Sequence, residues 1–289
     1  MAFVKNTLSN LPVTSGNVFF VDAGASRAAD GNRGQDPAVP LATIDAAIAR
    51  CTANNGDMIV VMPGHTESPT AAITMDVAGV WVYGLGWGND RPTVTSSNAT
   101  NFVLMSAASC RISNIVFVLG VATSTACVNV TAAGCIVEEI ETKIHATSQF
   151  TNHIMVGAVE DVIIRNNRLL SLITASSNSG IYLDGCDQLQ VYGNEIMGHF
   201  DIAAIDNVTG TDEALLAVVK RNLVRNISDS GMAIDMDDAA TGLLADNLWA
   251  VSVDFEVGFD PGDLFCLENY LVDLVNITGK IIPTAAAAS

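Results

Sequence analysis

Apolar residues recur along the chain in short runs that alternate with polar ones, as in Val-Ile-Ile-Arg at 162–165, Leu-Gln-Val-Tyr at 189–192 and Ala-Val-Val-Lys at 217–220, each bounded by Gly, Asn, Asp or Ser. A two-residue alternation over so few positions predicts short strands, and no 3.6-residue period appears between them. The runs belong to a larger repeat: an aliphatic residue or Cys, two variable residues, Asn or Glu, one variable residue, then an aliphatic. It occurs at 136–141, 164–169, 191–196, 219–224, 244–249 and 266–271, with Glu139, Asn167, Asn194, Asn222, Asn247 and Asn269 in fourth place, at intervals of 28, 27, 28, 25 and 22. Asn114 sits another 25 residues upstream with a one-residue slip.

A unit made only of strand and turn points to a β-solenoid rather than a leucine-rich repeat. Each coil then lies on the one below at about 4.7–4.9 Å, so equivalent side chains stack in columns. Asn167, Asn194, Asn222, Asn247 and Asn269 are expected to form one axial ladder in a tight bend, because Asn tolerates left-handed φ and its amide bonds the next Asn. The segments PLATIDAAI at 40–48, GDMIVVMPG at 56–64 and VWVYGLG at 80–86 resemble the opening of right-handed parallel β-helix proteins of the pectin-lyase-like superfamily. With the repeat, the resemblance runs from residue 34 to residue 275. The expectation is therefore an all-β, right-handed parallel β-helix of about eight coils, with a capping helix over 40–51 that carries Ile44, Ile48 and Cys51 on one face. The organisation expected is an N-terminal arm (1–17), a leading strand and capping helix (18–57), the β-helix (58–275) and a C-terminal tail (276–289).

Composition narrows the partners. The 289 residues carry a net charge of −18, yet only 15% are charged and 49% are hydrophobic. No apolar run approaches the roughly 18 residues of a membrane span. Residues 1–17 lack the features of a secretory signal, so synthesis in a host cytoplasm is expected. Residues 1–144 hold 11 acids and 7 bases, and residues 145–289 hold 20 and 6. The stretch 229–263 has nine carboxylates and no Lys or Arg, which argues against nucleic acid and acidic membranes as partners.

The candidate chemistry is a column of acids, Asp184, Asp206, Asp235 and Asp260, each following a hydrophobic residue and falling one per coil. In register they would stand about 5 Å apart, near the carboxyl separation of retaining glycosidases, or gather a Ca²⁺ ion. As turn-formers they need no chemistry at all. Among the enzymes of the resembled superfamily, Asp235-Met-Asp237-Asp238 is similar to the paired aspartates of polygalacturonases, but the accompanying Asn-Thr-Asp, Gly-His-Gly and Arg-Ile-Lys are missing. Gly64-His65-Thr66-Glu67 is similar to the esterase-type Gly-x-Tyr-x-Glu strand, with Thr for Tyr. The histidines (His65, His145, His153, His199) show no metal spacing, and the six cysteines show no CxxC, although Cys110 and Cys135 should stack in adjacent coils. No metal site or cofactor is expected beyond the Ca²⁺ alternative.

Such features are similar to those of tailed-phage structural proteins. The leading expectation is a non-enzymatic virion surface protein of the capsid decoration, cement or head-fibre kind. It would form a homotrimer, bind the major capsid protein or another virion protein, and attach through Phe3, Val4, Leu8 and Leu11 of its arm. The alternative is a β-helix glycan depolymerase or glycan-binding tail spike that uses the acidic column on a host surface glycan.

Overall fold

The computed structural model describes residues 14–143, 147–171, 177–207, 214–274 and 278–282. The strands stack into three sheets that together form a parallel β-solenoid. The first sheet has ten strands, from Val18–Val21 and Met58–Val61 to Phe265–Leu267; the second has ten, from Thr66–Glu67 to Asn269–Asp273 and Thr278–Ile282; the third has eight, from Ile73–Met75 to Phe259–Asp260. From Met58 onward the chain visits the first, second and third sheets in turn, giving about eight turns. The alternating pattern turns one side of the strands inward, and these side chains merge into the main apolar core running from Phe19 to Leu271, while Phe20, Met58, Val60, Met62 and Leu85 form a smaller cluster at the start of the first sheet.

The bend between the first and second sheets explains the repeat. It takes two residues, the first left-handed: Asn114, Glu139, Asn166, Arg221, Asp246 and Glu268 have φ between 50 and 57°, and Gly193 has φ 69°. The second residue is a buried Asn in five successive turns. Register corrects the repeat at its start. Val137 pairs with Ile112 and Ile164, so the position aligned with Asn167 is Ile140, not Glu139. Glu139 and Asn114 both fill the left-handed position one residue earlier, where chain direction rather than a ladder selects them.

The helix is shorter than expected, spanning Ile44–Ile48. Leu41 is held in a β-bridge to Val21, which keeps the chain extended before Thr43 caps the helix by accepting a hydrogen bond from Ala46 N–H at 3.2 Å. Ile44, Ala47 and Ile48 are buried in the core beside Phe19, Val21 and Ile59, while Cys51 lies beyond the helix end.

The two ends also differ from the expected arms. Residues 14–17 are fastened to the body: Thr14 Oγ1 donates to the Gly56 carbonyl, and Asn17 donates to Asp57 Oδ1 from its backbone at 2.7 Å and its amide at 3.1 Å. At the other end, Thr278–Ile282 is a strand pairing antiparallel with Asn269–Asp273, where it satisfies backbone groups that the edge of the second sheet still offers. Phe3, Val4, Leu8 and Leu11 lie outside the described residues.

Candidate functional site: the acidic column and its surroundings

The third sheet turns one column of side chains away from the core, reading Asn129, Met155, Tyr182, Asp206, Asp235 and Asp260 in register. Three of the four expected acids thus stack. Asp184 does not join them: Tyr182 is the residue aligned with Asp206, and Asp184 lies two positions further on. A hydrophobic–Asp dipeptide marks a strand end, and this strand extends past the column position before its turn begins.

Successive backbones along the column are about 4.8 Å apart. Asp206 is buried and accepts a hydrogen bond from Ser179 Oγ at 2.8 Å. Burial pushes its carboxyl pKa up to about 6, with the Ser179 hydroxyl opposing the rise and the Asp235 charge adding to it. Asp235 is also raised, by burial and then by Asp260 and Asp238. Burial raises the Tyr182 phenol too, with Asp184 and Asp206 contributing. The column therefore presents one carboxyl that releases its proton only near pH 6, next to a second whose proton is lost less readily than usual. Among the described residues, no group of three or more His, Cys, Asp or Glu side chains converges to hold a metal ion.

The Asn column is a continuous ladder. Each amide donates to the Oδ1 of the next coil: Asn167 to Asn194 at 3.0 Å, Asn194 to Asn222 at 2.9 Å, Asn222 to Asn247 at 3.0 Å and Asn247 to Asn269 at 2.9 Å. The same Oδ1 atoms accept the backbone N–H of the preceding coil, beginning with Ile140 N–H on Asn167 at 3.0 Å. The second amide hydrogen reaches a carbonyl of the coil before, as from Asn194 to Ile164 at 3.0 Å. The side-chain donors and acceptor of Asn167, Asn194, Asn222 and Asn247 are thereby all engaged.

A buried network that the sequence does not announce surrounds His153. Thr142 Oγ1 accepts from Leu170 N–H at 3.0 Å and lies 2.7 Å from His153 Nδ1; because Ser171 at the far end of the chain must donate to a carbonyl, the Thr142 hydroxyl donates to Nδ1. Nε2–H then donates to Ser177 Oγ at 3.1 Å, and Ser177 to Ser171, which donates to the His199 carbonyl. One tautomer satisfies the whole chain, with the imidazole neutral between Phe150 and Phe200. Burial lowers its pKa to about 3. Of the other histidines, His65 is buried, His199 sits 3.1 Å from Asp201 at the surface, and His145 lies outside the described residues.

On the outer face of the first sheet, Glu138 is clamped between Arg111 and Arg165, and Arg165 Nη1 donates to the Tyr192 hydroxyl at 2.9 Å. The Arg111 guanidinium lies 3.9 Å over the Trp81 ring and Lys220 lies 5.6 Å over Tyr192. These cations occupy ring faces that a stacked sugar would need. All six cysteines are free thiols; Cys110 and Cys135, one coil apart, each donate to carbonyls, and burial raises both pKa values.

No protein-family model and no curated protein sequence matches the chain. Solved structures do. A variant of sacteLam55A from Streptomyces sp. SirexAA-E in complex with glucose aligns with TM-score 0.53 and 12% identity, covering 83% of this chain and 52% of that one, so the chain spans about half its length. Pectate lyase Pel9A aligns with TM-score 0.50 and 10% identity over 91% of this chain and 78% of that one. A pectin methylesterase mutant in complex with a hexasaccharide aligns with TM-score 0.48 and 12% identity. At such identities the likeness is one of fold: the chain shares a parallel β-helix with these proteins.

Proposed function

We propose that this chain is a non-enzymatic structural subunit of a virion surface, of the capsid decoration, cement or head-fibre kind. In this reading it is a right-handed helix lidded by Ile44–Ile48, made in the host cytoplasm, and assembles as a homotrimer on the major capsid protein with help from the arm residues Phe3, Val4, Leu8 and Leu11. The observation that carries it is an exposed apolar ridge. Leu223, Leu248 and Tyr270 form one outward column of the second sheet, exposed by 38, 42 and 49%. On the neighbouring first sheet, Phe265 and Leu267 are exposed by 51 and 40%. Stacked apolar residues in register make a continuous patch, which on a soluble protein marks a contact surface. Light scattering should give a multiple of the 30.2 kDa chain mass, and the protein should co-sediment with capsids. A monomer at micromolar concentration that ignores capsids would refute the reading.

A second reading rests on the acidic column. Asp206, with its raised pKa, would serve as proton donor and Asp235 as its carboxylate partner in a glycan-cleaving or glycan-binding spike. The fold shared with a protein crystallised with glucose and with a pectate lyase supports it. Release of reducing ends from host-surface polysaccharide, abolished in Asp206→Asn, would establish it; a null result across host glycans would dismiss it.

A further inference from the structure

A cleft of about 460 Å³ opens at the N-terminal end of the solenoid, between the start of helix Ile44–Ile48 and the stretch from Thr66 to Ile73. Its size falls within the range of small-ligand sites, about 300–1,000 Å³. Hydroxyls of Thr66, Ser68 and Thr70 line it together with two carboxylates, Asp45 and Glu67, and no Lys or Arg does.

Glu67 is the unusual member. It is only 8% exposed, and its Oε2 accepts from Ile44 N–H at 3.0 Å and from His65 Nε2 at 3.1 Å. His65 is itself fixed as a neutral ring, because its Nδ1 accepts the Ala23 N–H at 3.0 Å and so Nε2 carries the hydrogen. Both donors to Oε2 are therefore uncharged. Oε1 has no protein hydrogen bond, and no Lys or Arg pairs with Glu67, among the described residues. A buried carboxylate without a counter-charge is costly and is ordinarily paired or ligated. Asp45, exposed at the cleft, adds a second negative charge, and its Oδ1 is engaged by Thr74 N–H at 3.2 Å.

We propose that this cleft binds an alkylammonium group, which pairs with Glu67 Oε1 and is bordered by Asp45 and the hydroxyls. Such an amine has two sources: Lys5, the sole lysine before Lys143, carried on the N-terminal segment outside the described residues, or a separate amine-bearing molecule. The nine residues from Lys5 to Thr14 reach about 30 Å when extended, enough to turn back onto the same end of the solenoid or onto a neighbouring copy.

The test is calorimetric titration of the full chain and of Lys5→Met with cadaverine, using the corresponding diol as the uncharged control, while nitrogen-edited NMR follows the Ile44 amide bonded to Glu67. Cadaverine should bind at least about tenfold more tightly than the diol, a difference of about 1.4 kcal/mol, and shift the Ile44 signal. Binding to Lys5→Met but not to the parent identifies Lys5 as the occupant; equal binding to both identifies a separate amine. Glu67→Gln, placed in the Lys5→Met chain, should lose that preference. Asp45→Asn, an exposed change that leaves the Glu67 hydrogen bonds in place, should weaken it in part and serves if Glu67→Gln does not fold. The proposal is overturned if neither chain prefers cadaverine to the diol, or if neither substitution alters the preference.

Discussion

Asn194 stands in the middle of the ladder, accepting the backbone N–H and amide of Asn167 and donating to Ile164 and Asn222. Asn194→Leu would leave the Asn167 N–H buried without a partner, at a cost of about 1–3 kcal/mol. Thermal unfolding should report it, and an unchanged melting temperature would count against the ladder as a source of stability. Two titrating side chains make opposite contributions with pH. His153, lowered to about 3, is neutral in the fold at pH values where the unfolded chain takes up a proton, so its stabilising share is complete above about 6.5 and is lost as pH falls toward 3. Asp206, raised to about 6, binds a proton in the fold that the unfolded chain has released; its share is complete below the ordinary value of 3.8 and lost as pH rises through 6. Between these values the two slopes offset. Asp206→Asn keeps an acceptor for Ser179 but removes the second slope. Relative to the parent it should be more stable by about 2 kcal/mol at pH 7, with the gap closing on acidification, as denaturant midpoints at a series of pH values would show.

At the scale of the strand and bend, the left-handed positions are where local chemistry and backbone agree or conflict. Asn, Asp and Gly suit them; Leu216, with φ 59° and 66% exposure, does not. Leu216→Asn should raise stability by about 0.5–1 kcal/mol, measured as a higher denaturant midpoint with unchanged slope. The same positions explain what the sequence could and could not disclose. Strands, core faces and the ladder were legible because inward residues and bend asparagines recur at a fixed offset from one another. Glu139 was misframed because the left-handed and ladder positions are adjacent and both accept polar residues. Asp184 was misassigned because a strand end is visible in sequence while its register against the next coil is not. The His153 network could not be read at all: its members come from 142, 153, 171 and 177 and meet only once neighbouring coils stack.

For the whole molecule, the ridge of Leu223, Leu248 and Tyr270 is the surface on which the proposed association is tested. Leu248→Lys places a charge at its centre, where Trp249 and the buried side of the strand are untouched. Circular dichroism and unfolding should stay within about 0.5 kcal/mol of the parent, while light scattering should show the assembly falling apart; a variant that assembles normally would move the interface elsewhere. The last strand of the second sheet has a different consequence. Parallel solenoids can in principle template one another end to end, each copy continuing the coil of the one before. Thr278–Ile282 runs against that direction. It occupies the place on the second sheet that a further coil's parallel strand would take, so a second copy stacked in the same sense would meet a reversed strand there and parallel edges on the other two sheets.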